Sequence, residues 1–234
     1  MSERLRLFPL KTVLFPGAVL NLHIFEPRYK QMIAECLQSG EMFGVVLIER
    51  GEEVDDPALV PHDVGTTAEI ADVTELPRGR YYVSAVGRRR FRIDAIVSRE
   101  PYLTVEVTYF QDVDAEHDAM ETMASQVREQ FGAYVALLIE LAGASADYDL
   151  PLDPVGASYL VGDALQVSES LKQRLLELTD PLQRLRAELG FLRRLLPQLR
   201  TLVDRKREGG TPDAPADPTR GEQAKFFGKH FSTN

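Results

Sequence analysis

The sequence predicts an α+β protein: a small, partly closed β-barrel with one helix, followed by an α-helical bundle. Short apolar or alternating runs, punctuated by glycine and proline, fill the chain as far as residue 112. A single helical stripe interrupts them, and beyond Asp114 the apolar period changes from two to about 3.6. The expected divisions are 1–112 for the barrel, 113–207 for the bundle and 208–234 for a flexible tail.

Leu7-Phe8-Pro9-Leu10 and the run ending Leu22-His23-Ile24 read as short strands flanking Phe15-Pro16-Gly17-Ala18. Proline there pre-sets φ at the second turn position and glycine accepts positive φ at the third, which is type II turn chemistry. Pro27 suits the first position of a helix, with Glu26 beside the positive end of the dipole. That helix, Arg28 to Gln38, places Tyr29, Met32, Ile33, Cys36 and Leu37 on one stripe and stops at Ser39-Gly40. Phe43 to Ile48 is a continuous apolar run between Gly40 and Gly51, as in a buried strand. Thr66 to Val73 follows, and Tyr81 to Ile96 is expected to divide at Gly87 into two strand-like pieces. Tyr102 to Tyr109 alternates β-branched or aromatic with polar residues, a half-exposed strand.

In the second half Met120, Met123, Val127, Phe131, Tyr134, Leu138 and Leu141 recur at spacings of three and four, so one long helix is expected from Asp114 to Ala142. Asp153-Pro154 supplies an N-cap and a first-turn proline for a helix reaching about Val167. Ser168 is expected to cap Glu169 to Leu178, and Asp180-Pro181 repeats the start signal. The last helix carries Leu182, Leu185, Leu189, Leu192, Leu196, Leu199 and Val203 as a narrow seam, packed within the bundle or against a second subunit in weak self-association. Pro197 is expected to bend it. Beyond Arg207 the Gly, Pro and Asp run has nothing to bury, and it leads to the aromatic end Phe226-Phe227-Gly228-Lys229-His230-Phe231.

A formal net charge of −9 argues against general nucleic-acid binding, because Lys and Arg neutralising phosphates supply most non-specific affinity. The lone cysteine, Cys36, excludes an internal disulfide and any multi-cysteine zinc site. His23, His62, His117 and His230 lack the i, i+3 or i, i+4 spacing of two ligands on a helix face, so no metal and no cofactor is expected. The carboxylates lie mainly in solvated charge runs such as Glu52-Glu53-Val54-Asp55-Asp56, and no catalytic residue is assigned. With Pro9, Lys11 and Pro16 interrupting its first apolar run and no segment of ~20 apolar residues, the chain reads as cytoplasmic, without a membrane partner.

The opening strands and the Pro-Gly turn, Gly65-Thr66-Thr67-Ala68-Glu69-Ile70, Val86-Gly87-Arg88-Arg89-Arg90-Phe91-Arg92-Ile93, Asp153-Pro154 with Leu160, and Lys172-Gln173-Arg174-Leu175-Leu176-Glu177 together resemble the amino-terminal, substrate-binding domain of the Lon protease family from Leu5 to Leu202. The resemblance implies a PUA-like barrel joined to a helical bundle. Gly-x4-Gly-Lys-Ser/Thr is missing, and there is no further domain for a serine and lysine dyad, so a stand-alone, non-catalytic member is expected. The implied activity is binding of unfolded polypeptide or a partner protein, as an adaptor or recognition factor in protein quality control. The residues expected to carry it surround the first helix: Phe25, Glu26, Arg28, Tyr29 and Met32.

The alternative is RNA binding, since PUA-like folds often bind RNA and Arg78, Arg80 and Arg88 to Arg92 concentrate positive charge. Strand alternation puts Arg88, Arg90 and Arg92 on one face. Pairing of these arginines with Glu69, Asp72, Glu75 or Asp94 is the simpler expectation, and it ranks nucleic acid second.

Overall fold

A computed structural model describes residues 3–53, 56, 58–77, 79–143 and 150–208; Arg78 and residues 209–234 of the expected tail lie outside the described residues. The elements run β1 (Glu3–Leu10), β2 (Val19–Ile24), α1 (Pro27–Ser39), β3 (Phe43–Arg50), β4 (Val60–Leu76), β5 (Arg80–Ser98), β6 (Thr104–Tyr109), α2 (His117–Ala142), α3 (Pro154–Ala164), α4 (Glu169–Glu177) and α5 (Pro181–Arg207). They form two compact units. The first holds the chain through Asp112 together with Gln166–Thr179; the second holds Val113–Leu165 and the chain from Asp180.

The first unit is a mixed sheet ordered β2-β5-β4-β3-β1-β6, and β5 also pairs with β6, so the ladder returns on itself. Only β1 and β3 run parallel. β1 and β2 do not pair with each other: β1 lies between β3 and β6, while β2 pairs with β5. Inside are Leu5, Leu7, Val46, Phe91, Leu103, Val105 and Val107.

β5 is one continuous strand, so the expected division at Gly87 is corrected. The glycine serves a close approach instead. Gly17, at φ +82°, donates its N–H to the Gly87 carbonyl at 2.8 Å, and Gly87 donates to the Ala18 carbonyl at 2.9 Å. A Cβ on Gly87 would stand 2.2 Å from the Phe15 carbonyl oxygen, so a side chain there would push the turn off the strand.

On α1 the residues Tyr29, Met32, Ile33 and Cys36 are buried as their spacing requires. Leu37, expected on the same stripe, is 52% exposed because it lies at the margin of the arc that the sheet covers. Burial pushes the Cys36 thiol up to about 11. α4 belongs to the sheet unit through two polar anchors: the Gln173 amide donates to the Val64 carbonyl at 3.0 Å, and the Val13 N–H donates to the Glu169 carboxylate at 2.8 Å. Ser168 makes no side-chain cap, which corrects the expected one.

In the second unit α2 packs along α5, using buried Met120, Val127, Phe131, Tyr134 and Leu138 on one helix and Leu185, Leu189, Leu192, Leu196, Leu199 and Val203 on the other. The leucine seam is therefore occupied within the unit. α5 continues through Pro197. Asp153 and Asp180 cap α3 and α5: one accepts from the Val155 and Gly156 N–H groups, the other from those of Leu182 and Gln183. α2 begins at His117 and α3 ends at Ala164, each about one turn inside its expected bound.

Candidate functional site

Pro27 starts α1 with its φ already helical and no N–H to satisfy, which brings Phe25, Glu26, Arg28 and Tyr29 to one end of the sheet unit. Glu26 makes no cap. It accepts from Arg28 instead, with Nε at 2.9 Å and Nη2 at 2.7 Å. The same guanidinium lies 4.7 Å from the Tyr29 ring centroid, and Tyr29 stacks on Phe8 with centroids 4.0 Å apart. Burial pushes the Tyr29 phenol up to about 12. Of the five expected residues, Phe25 is 52% exposed, Glu26 and Arg28 are half-buried, Tyr29 is buried and Met32 has no exposed surface.

Beside this helix start lies a cleft of about 260 Å3 lined by Arg28 and Tyr29 together with Pro9, Leu59, Pro101, Leu103, Arg99 and three carboxylates, Glu53, Asp56 and Glu100. It is smaller than the roughly 300–1,000 Å3 of small-molecule sites. Its apolar side chains offer burial to a ligand side chain, and both signs of charge stand beside them. Arg28 donates to the Glu53 carbonyl at 3.3 Å and Arg99 to the Leu59 carbonyl at 3.0 Å, so each guanidinium fastens one wall and keeps further N–H donors for a ligand carbonyl. Neither histidine, serine nor cysteine lines the cleft. The sequence reading missed Arg99, Leu59 and Pro101, which sit in loops with no periodic pattern, and did not assign Leu103, which it placed in the alternating Tyr102 to Tyr109 run, to the cleft.

The arginine face fares differently. Arg88 is exposed and paired with Glu69. Arg90 is 3% exposed, which corrects the expectation that Arg88, Arg90 and Arg92 present an open basic face. Its Nη1 donates to the Leu176 and Leu178 carbonyls at 2.7 and 2.6 Å, and its Nη2 donates to Asp112. Alternation does put Phe91 inside and Arg90 outside, but the carboxyl end of α4 covers that outer face. Arg92 lines an open hollow with Glu49, His62, Asp63, Val64 and Glu177, among three carboxylates. Among the described residues, no group of three His, Cys, Asp or Glu side chains is placed to hold a metal ion, and no helix is long and apolar enough to cross a membrane.

Residues 4–194 match the family model of the ATP-dependent protease La (LON) substrate-binding domain. The chain belongs to this LON family. The Lon N-terminal domain protein of Xanthomonas campestris is similar in structure, with a TM-score of 0.61 and 29% identity over 80% of this chain and 98% of that one. The N-terminal domain of Mycobacterium avium complex Lon protease, at 19% identity and a TM-score of 0.60, shares the fold over 81% of this chain and 98% of its own. Lon protease 2 of Myxococcus xanthus is 27% identical over 197 residues, 83% of this chain and 24% of the relative. Lon protease of Flavobacterium johnsoniae is 37% identical over 105 residues, 44% of this chain and 13% of the relative. The chain thus spans about a quarter or less of the curated relatives it matches, and the match lies in the LON substrate-binding domain. Membership in this LON family supports a substrate-binding role.

Proposed function

We propose that this chain is a non-catalytic polypeptide-binding protein of the cytoplasm, an adaptor or recognition factor in protein quality control, and that Phe25, Glu26, Arg28, Tyr29 and Met32 organise its binding surface. The observation that carries the reading is the cleft beside the α1 start. It combines apolar walls, two guanidinium groups and three carboxylates, a lining suited to an apolar side chain and its flanking peptide groups. Within the set, Phe25 and Arg28 offer contact, while Tyr29 and Met32 fix the helix under them. We read the self-closing ladder of the sheet unit as the PUA-like barrel. The RNA alternative ranks below, because Arg88 and Arg90 are each committed to a carboxylate and Arg92 lies among three.

The test is fluorescence anisotropy with a labelled unfolded polypeptide, such as reduced carboxymethylated casein, and with single-stranded RNA at physiological salt. Phe25→Ser with Arg99→Glu changes two exposed side chains and is expected to weaken polypeptide binding about tenfold, as loss of an interface anchor does. Unchanged polypeptide affinity moves the site elsewhere, and RNA binding lost on Arg88→Glu with no polypeptide binding reverses the ranking.

A further inference from the structure

The exposed side of α5 carries a charge pattern that the cleft does not use. Arg186, Arg193, Arg200 and Arg207 recur at seven-residue intervals, and all four are exposed. Seven residues advance a helix by about 10.5 Å and turn it to within about 20° of the same direction. The four guanidiniums therefore form one row along the helix, flanked by Arg194 and Arg205, on a chain whose net charge is −9.

The last member shows what such a group binds. Arg207 holds Glu140 of α2 in a two-pronged pair, Nε to Oε1 at 2.6 Å and Nη2 to Oε2 at 2.9 Å. Arg186, Arg193 and Arg200 face no carboxylate at ion-pair distance among the described residues. The acidic residues on α5 itself do not serve them, since Glu188 is fully buried and Asp204 lies 3.9 Å from Arg207. In the sequence beyond Glu208, Arg220, Lys225 and Lys229 offset Asp213, Asp217 and Glu222, so that segment adds no net negative charge.

We propose that the arginine row Arg186, Arg193 and Arg200 is a docking surface for an acidic helical segment of a partner protein, with carboxylates at seven-residue intervals along one face. The match is one of charge and of period: a second helix alongside α5 repeats its own side chains at the same rise, so one carboxylate per two turns meets each guanidinium as Glu140 meets Arg207. A nucleic acid fits less well, because it carries a phosphate about every 3.4 Å per strand and brings many unpaired charges against an acidic molecule. The row belongs to the second unit and the proposed cleft to the first, and the proposal does not depend on the cleft.

The full chain is titrated by fluorescence anisotropy with two labelled helical peptides of about 28 residues and identical composition. One places Glu at every seventh position and the other scatters the same residues. A single-stranded RNA of equal charge is the comparator. At low salt the in-register peptide is expected to bind the full chain, and Arg186→Glu, Arg193→Glu, Arg200→Glu together are expected to weaken it by about tenfold or more. Replacing the same three with Gln should give a smaller loss, with circular dichroism reporting an unchanged fold in both variants. The Phe25→Ser, Arg99→Glu variant is expected to bind this peptide as the parent does. Equal binding of the scattered peptide overturns the register argument. Tighter binding of the RNA, lost in the same variants, overturns the choice of partner, and absent or unaltered peptide binding overturns the surface itself.

Discussion

Arg90 is the strongest test of how the sheet unit holds together. Its guanidinium is buried, donates to two carbonyls at the end of α4 and pairs with Asp112, whose side chain is 10% exposed. Arg90→Met keeps the length and most of the apolar stem but removes every donor. Breaking a buried ion pair from one side typically costs about 3–5 kcal/mol, because the remaining charge stays desolvated. The two carbonyls lose charge-assisted bonds of about 1.5–3 kcal/mol each, partly regained by water if the end of α4 lifts. The expected loss is therefore at least about 3–5 kcal/mol for the sheet unit, a large share of the ~5–15 kcal/mol that holds a domain. Adding Asp112→Leu is expected to recover part of it and not all, since Leu176 and Leu178 still lack their donor. Hydrogen exchange read peptide by peptide is the appropriate assay, because it separates the two units. Protection of 169–178 and of β5 should fall together in Arg90→Met. A loss below about 1 kcal/mol, or full protection of α4, would refute the reasoning.

Glu188 is buried with Ser158 and Arg184: the Arg184 Nε–H donates to the Ser158 hydroxyl at 2.7 Å, which donates to Glu188 at 2.8 Å. Burial raises the Glu188 carboxyl well above its ordinary 4.5, so its favourable contribution is complete below that value and is lost as pH rises toward the folded-state value, by about 1.4 kcal/mol per unit. Glu188→Gln should abolish that slope in pH-dependent denaturation of the second unit, and an unchanged slope assigns the titration elsewhere. Leu189→Ala removes a 4% exposed side chain from the α2–α5 seam and should cost about 2–5 kcal/mol by thermal or urea melting; no change would mean the seam is not packed as described. The Cys36 thiol, buried and pushed up to about 11, should react with a thiol reagent at pH 7 only as fast as its helix opens, so reaction at the rate of a free thiol would contradict its burial.

The periodic elements were legible because periodicity reports which side is dry. The α1 stripe and the α5 seam from Leu185 to Val203 were placed correctly, Leu182 is only half-buried at the first turn, and Leu37 failed because a helix stripe says nothing about how wide the covering surface is. Asp153-Pro154 and Asp180-Pro181 were readable because a cap satisfies its helix from within a few residues. Gly87 was misread for the opposite reason: a strand interruption and a close backbone approach both ask for glycine, and only the position of Phe15 distinguishes them. Arg90 failed for distance in sequence, since the helix end that covers it lies some 86 residues later. The cleft was half legible. Its Arg28 and Tyr29 follow from the helix start, whereas Leu59, Arg99 and Pro101 reach it from aperiodic segments and Leu103 from the start of the alternating run at β6, and no local pattern encodes their meeting.

The placement of α4 has a consequence for the order in which the molecule is made. The sheet is complete in sequence at β6, yet the carbonyls that receive Arg90 belong to residues 176 and 178, after α2 and α3 have been synthesised. At translation rates of about 5–20 residues per second, a nascent sheet waits several seconds with a guanidinium prepared for burial and no helix end to accept it. During that interval α2 and α3 emerge without α5, the helix whose leucines they pack beside. The first unit is thus completed only after α2 and α3 have been made, and the second only after α5, so both are expected to become protease-resistant late, the sheet unit first.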